Sequence, residues 1–284
     1  MLRRFLSLNS LEEGTRLYHY TRCQSAREIL RGHSFFATNT QFLNDVNEIQ
    51  YTLSVMEDVL NEVEPAMWRG MLRHMVMENV QEFHKYEYYL LSFSTKPDSL
   101  TLWAEFGDRT GYNLEFEGCE LRRRIMENTK IFCDGYVVYN KDRQKALLRE
   151  LINEKIPQEL NWSTGSIMEA VRRGENGPFE EYKHNVQKAL ALHSLFFKQP
   201  EFASEREYRF VFRNPPNEVC FREQSGFLLP YIVLNCSMEE RLPVLGVTVA
   251  PKNHTDLARR GMEYYLDSLG YRVPVRLSQL KLRY

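Results

Sequence analysis

Two long helical stretches, 45–86 and 141–197, interrupt a chain whose other segments read as short strands. That order constrains the fold most. Regular strand–helix–strand alternation would build a doubly wound parallel sheet, whereas this mixed order favours an α+β class. Strands are read at 17–20, 34–38, 88–94, 112–116, 135–139, 207–212, 228–234 and 245–250. A helix at 25–31 ends on Gly32, one at 99–106 closes on Gly107, and one at 255–269 is capped by Gly270 before a final strand. The first long stretch breaks near Pro65, the second around 157–165 and 174–178. The second is amphipathic and reads as an insertion packed on the core. The expectation is one domain over 1–284 with helical insertions around 45–87 and 141–197.

The charge balance narrows the partners. Lys and Arg number 37 and Asp and Glu 38, for a net charge of −1. A general nucleic-acid binder carries a strong basic excess, absent here. Arg122-Arg123-Arg124 and Arg259-Arg260 are local basic runs and read as solvated helix faces. Five cysteines occur, none within a Cys-x-x-Cys, so a zinc site is not indicated, and no organised base points to a catalytic thiol. No signal peptide or bilayer-length apolar run is read, and the expectation is a reducing cytoplasm with free thiols and no membrane partner. The phosphate-binding glycine patterns of dinucleotide folds and P-loops are missing.

The sharpest local feature is Ser204-Glu205-Arg206-Glu207-Tyr208-Arg209-Phe210-Val211-Phe212, which reads as one strand. Alternation puts Tyr208, Phe210 and Phe212 on one face and Glu205, Glu207, Arg209 and Val211 on the other. Two carboxylates about 7 Å apart then point the same way. A strand does not need that arrangement to fold. It suits a substrate that develops positive charge, and a solvated edge with weak ion pairs is the plain alternative.

Other residues have double readings. His19, between Tyr18 and Tyr20, is either a satisfied core histidine or a donor–acceptor for a ribose hydroxyl, with Thr21 on its face. Tyr20 offers a ring to stack on. A loop ending in a helix cap explains Asn44-Asp45 with Glu48. Ser92 and Ser94 share a face at a strand end and either line a pocket or satisfy a turn. Trp103 reads as core or as a ligand contact. The 107–112 segment reads as a turn, with Tyr112 able to cover a pocket.

In order, these pieces resemble a poorly characterised bacterial family. The resemblance rests on Leu17–Thr21, on Leu43-Asn44-Asp45 with Glu48, and on Ser92-Phe93-Ser94. It continues through Leu102-Trp103-Ala104-Glu105-Phe106-Gly107 with Gly111, then Lys198 with Glu205-x-Glu207-x-Arg209, and ends on Ser278 and Arg283. Val46 stands where the family has proline, Glu105 where it has histidine and Tyr208 where it has tryptophan; the last two bear on the acceptor more than on NAD. The family is similar to the ADP-ribosyltransferase superfamily. That resemblance implies a split β-sandwich holding NAD in a cleft without metal. It carries His19 onto the first-strand position for the nicotinamide-side ribose. Glu207 matches the late glutamate and Glu205 its Glu-x-Glu partner. The middle position stays open between Ser92 with Ser94 and Tyr112. Tyr20, Thr21, Asn44, Trp103 and Arg209 complete the NAD-facing set.

The implied chemistry cleaves the nicotinamide–ribose bond through an oxocarbenium-like state. Carboxylates and 2-OH hydrogen bonds stabilise such states in glycoside hydrolysis. Glu207 is expected to hold the 2-OH, Glu205 to act on the acceptor as a base, and Arg209 to keep both ionised. The acceptor is a macromolecule (RNA, DNA or protein), the role that of a toxin or phage-defence effector, and an antitoxin or regulator is a possible partner. An NAD glycohydrolase and a non-catalytic nucleotide- or partner-binding module are the alternatives.

Overall fold

A computed structural model describes residues 5–6, 8–42, 48–77, 87–107, 110–224, 226–236, 241–252 and 254–280. The fold is mixed α+β. The chain divides into two compact units. One comprises 1–9, 43–87 and 137–203; the other comprises 10–42, 88–136 and 204–284. Both expected helical insertions fall in the first unit.

The first unit is helical. It contains α2 (Glu48–Leu60), α3 (Ala66–Met77), α6 (Lys141–Glu150), α7 (Ile156–Leu160), α8 (Thr164–Arg172) and α9 (Gly177–Ser194). A π-helical turn, Leu151–Lys155, joins α6 to α7. The caps are legible in the residues. The Asn140 side chain accepts from the Arg143 amide at 2.8 Å, and Ser163 and Ser166 form a capping box. Trp68, Tyr182 and Leu190 are fully buried in its core. The Tyr182 hydroxyl donates to the Ile152 carbonyl at 2.7 Å. Gln144 is completely buried and ties segments together, donating to the Val138 and Lys198 carbonyls and accepting from the Tyr51 hydroxyl. A buried amide needs that satisfaction.

The second unit carries the sheet. Its strands are β1 (Arg16–Thr21), β2 (Ser34–Asn39), β3 (Tyr88–Ser94), β4 (Tyr112–Glu117), β5 (Cys133–Tyr136), β6 (Glu207–Arg213), β7 (Val219–Gln224), β8 (Phe227–Asn235), β9 (Val244–Val249) and β10 (Val275–Leu277). Helices α1 (Cys23–Gly32), α4 (Leu100–Glu105), α5 (Gly118–Asn128) and α10 (Thr255–Ser268) belong with them. The main path runs β10-β9-β4-β1-β3-β2-β8-β7, with β6 on β3 and β5 on β6. Phe35, Phe93, Phe116 and Phe210 interlock edge to face in its core, with centroids 5.5 to 5.9 Å apart. Burying each such side chain stabilises by about 1.5–3 kcal/mol.

The sheet splits at β3. Strand β6 pairs with β3 along its whole length, from Tyr88 opposite Arg213 to Ser94 opposite Glu207. The other edge of β3 is shared. Tyr18 of β1 pairs with Ser94, while Thr38 and Asn39 of β2 pair with Leu90 and Tyr89. β1 and β2 therefore leave β3 at opposite ends.

Candidate active site

The run that reads as one strand from 204 is two elements. Pro200–Glu205 forms a 3₁₀ turn, Arg206 sits at φ 45, and β6 begins at Glu207. A left-handed residue ends strand alternation. The expected Glu205–Glu207 face is thereby corrected: only Glu207, Arg209 and Val211 share it. Glu205 is 3% exposed, which leaves no surface for a base that must meet a macromolecular acceptor. Its backbone carbonyl accepts from the Ser94 hydroxyl at 2.6 Å, and the same hydroxyl accepts from the Lys96 amide at 3.0 Å.

Glu207 and Arg209 form a two-point ion pair, Nε to Oε1 and Nη2 to Oε2, both at 3.0 Å. The Glu207 side chain is 12% exposed and that of Arg209 3%. This is a largely desolvated pair, not a solvated edge. Cross-strand register sets Ser94 opposite Glu207 and Ser92 opposite Arg209. Tyr18 lies opposite Ser94 on the far side, so β1, β3 and β6 join these residues on one face.

Strand register assigns the remaining candidates. Tyr18 and Tyr20 share the Glu207 face; His19 and Thr21 turn to the core face, where Thr21 opposes Tyr112 and His19 opposes Leu114. Tyr112 is 5% exposed, and its hydroxyl donates to the Ala258 carbonyl at 3.3 Å. Thr21 is also buried. The expectation that Thr21 and Tyr112 meet NAD beside Glu207 is corrected, because register turns both inward.

His19 is half-buried and stands at the split. Its Nδ1 lies 3.3 Å from the Ser92 carbonyl, and its ring packs against Phe35 and Phe93 at 5.6 and 5.3 Å. Burial pulls its pKa down to about 4, with the positive field of Arg222 acting the same way. The imidazole is neutral at pH 7. A contact to a carbonyl requires the proton on Nδ1, leaving Nε2 as an acceptor.

Trp103 and Tyr20 are also corrected, because packing consumes them. Trp103 is wholly buried, with its indole donating to Asp98 at 2.6 Å. The Tyr20 ring abuts it at 4.8 Å, and the Tyr20 hydroxyl donates to the Lys96 carbonyl at 2.8 Å. Asp98 further accepts from Ser278 Oγ and the Gln279 amide, both at 2.8 Å. Asn113 donates to the Pro97 carbonyl at 2.7 Å. These contacts pin the 95–99 segment leaving β3; neither ring has a free face for a ligand. Asn44 lies outside the described residues.

Three further residues lie on this face or beside it. Glu115, 6% exposed on β4, is clamped between Arg16 and Arg276, the latter at 2.7 Å. Asp98 is the clamp just described. Arg222 lies on β7, an element the sequence reading did not separate, although the Ser-Gly pair at 225–226 is a hairpin signal. The five cysteines are free thiols, and among the described residues no group of three or more His, Cys, Asp or Glu is placed to hold a metal ion. No described helix is long and apolar enough to cross a membrane.

Residues 102–210 match a family described as a protein of unknown function (DUF2971). The matched stretch takes in Trp103, Tyr112, Glu205, Glu207 and Arg209. No curated protein and no solved structure matches the chain.

Proposed function

We propose that the protein is an NAD-dependent ADP-ribosyltransferase acting on a macromolecular acceptor. One observation carries the reading. Three strands remote in sequence lie side by side, Tyr18 opposite Ser94 and Ser94 opposite Glu207. They are the three strands that the sequence resemblance marks as first, middle and last. The split of β3 between β1 and β2, with His19 standing in it, supports the same reading.

In this reading NAD lies along the split edge of β3. Neutral His19 turns to the opposite face of β1 from Glu207, but it is partly exposed where β1 and β2 part, and from that gap it offers Nε2 to a ribose hydroxyl of NAD. Glu207, held by Arg209, accepts from the 2-OH and opposes the positive charge that grows as the nicotinamide bond breaks. Ser92 is half-buried beside them and serves as the middle-strand hydroxyl. Glu205 is a positioning residue: it fixes Ser94, and through it the start of β6, instead of meeting the acceptor. The biological role that fits is a toxin or phage-defence effector.

The test is transfer of labelled ADP-ribose from NAD into protein and nucleic-acid fractions of a cell extract. Glu207→Gln, confirmed as folded by circular dichroism, is expected to lose about 10²–10³ in rate, the usual size for one transition-state contact. Full activity in that folded variant overturns the assignment. Fast nicotinamide release from NAD alone, without any macromolecule, makes the protein a glycohydrolase instead. Saturable NAD binding with no turnover on any fraction makes it a binding module.

A further inference from the structure

Arg222 stands apart from the paired arginines of this unit. Arg209 has Glu207 and Arg122 has Asp134. Arg222, half-buried on β7, makes no ion pair among the described residues. Its Nη2 donates to Thr38 Oγ1 at 3.2 Å, its guanidinium lies 5.6 Å from the Tyr231 ring centre, and its Nε is buried without a hydrogen-bond partner. A guanidinium withdrawn from water is unfavourable unless an anion faces it. Burial accordingly lowers its pKa, and the field of Arg22 at the start of α1 adds to the positive potential.

The surroundings are equally specific. Register puts Arg222 opposite Leu229 on β8, and Tyr231 opposite Thr38 on β2. Phe36, two residues before Thr38, shares that face. Its ring sits 4.4 Å from that of Tyr231, and it is 40% exposed. A guanidinium without a carboxylate, a hydroxyl and a partly exposed aromatic ring thus occur together. Arginine with a hydroxyl suits phosphate oxygens, and an exposed ring suits a flat base.

We infer that Arg222 and Thr38 bind the phosphate groups of a nucleotide whose base stacks on Phe36. The inference deepens the proposed function by assigning the diphosphate end of NAD to β2 and β7, and it rests on that reading only in taking the nucleotide to be NAD. Register joins this cluster to the split: Thr38 of β2 pairs with Leu90 of β3, and Ser92 follows two residues on along the same face.

Titration calorimetry on the full chain tests it with ADP, inorganic pyrophosphate and adenosine as separate probes. Saturable ADP binding is expected, weakened about 10- to 100-fold by Arg222→Gln, as for loss of charge-assisted hydrogen bonds. Phe36→Ala is expected to weaken ADP and leave pyrophosphate unchanged. Arg222→Gln removes a desolvated charge, so its melting temperature should match or exceed the wild type. Arg173→Gln, an exposed helix pair with Glu169, serves as the neutral control. Equal ADP affinity in Arg222→Gln, or no ADP binding by the wild type, overturns the inference. Arg222-dependent ADP binding without NAD turnover sinks the transferase alone; turnover whose KM ignores Arg222 sinks this site alone.

Discussion

Replacing Arg209 with methionine separates a desolvated ion pair from a solvated strand edge. The substitution keeps the length and apolar stem and removes the charge. Both hydrogen bonds to Glu207, at 3.0 Å, disappear, and the Glu207 carboxylate stays at 12% exposure with its main cation gone. Breaking a buried pair from one side costs about 3–5 kcal/mol, because the remaining charge is uncompensated. The residual exposure of Glu207 admits water and favours the lower end. In a cooperative unit of roughly 150–250 residues, 1 kcal/mol moves the melting temperature about 2–4 °C, so about 3 kcal/mol lowers it by about 6–12 °C. Glu207→Gln removes the same two-point pair from the other side and should lose a similar amount. The double variant Glu207→Gln/Arg209→Met removes both members of the pair together and should recover much of it, with a coupling of about 1.5 kcal/mol or more. Scanning calorimetry on the four proteins measures the cycle. An Arg209→Met melting temperature within about 2 °C of wild type, with additive single effects, would match an exposed pair and refute the reasoning.

Two further outcomes follow, one from a glycine in each unit and one from His19. A Cβ on Gly111 would stand 2.0 Å from the Thr21 carbonyl oxygen and 2.8 Å from that of Gly107, both backbone. Gly111→Ala should therefore cost about 3 kcal/mol or more, beyond ordinary overpacking. Gly70→Ala in helix α3, where a Cβ meets nothing within 4 Å among the described residues outside its own helical turn, should gain about 0.5–1 kcal/mol. Denaturant midpoints compare them, and equal midpoints would be the contrary result. His19 titrates near 4 in the fold against an ordinary 6.5. Between those values the unfolded chain binds the proton that the folded chain refuses, so stability falls as pH drops from 6.5 towards 4 and levels off below. The loss is bounded at about 3 kcal/mol. His19→Gln should flatten the melting-temperature profile across that window, leaving the contribution of buried His193, also near 4. An unchanged profile would refute the assignment.

What the residues disclosed, and what they withheld, divides along a physical line. Tyr88–Ser94 is legible to the residue because a run of aromatic and leucine side chains sits between polar neighbours. The two helical stretches were legible from periodicity and caps. The pairing of Arg209 with Glu207 was legible because alternation within a strand is local. Glu205 was misplaced because nothing in its neighbours announces that Arg206 adopts φ 45. Sequence groups His19, Thr21 and Tyr112 with Glu207 because a strand tells which residues share a face, not which face turns to the core. That choice belongs to register. Tyr18 pairs with Ser94 and Thr21 with Tyr112, and a one-residue slip on β1 would exchange His19 for Tyr18. Arg222 was invisible for a related reason: its lack of a carboxylate is a property of β2 and β8, brought to it from 184 residues upstream at Thr38 and from across the hairpin at Tyr231. The parts of a site that bear charge on one strand can be read from sequence. The parts that depend on which strands meet at β3, and on where they separate, can be read only once the sheet is assembled.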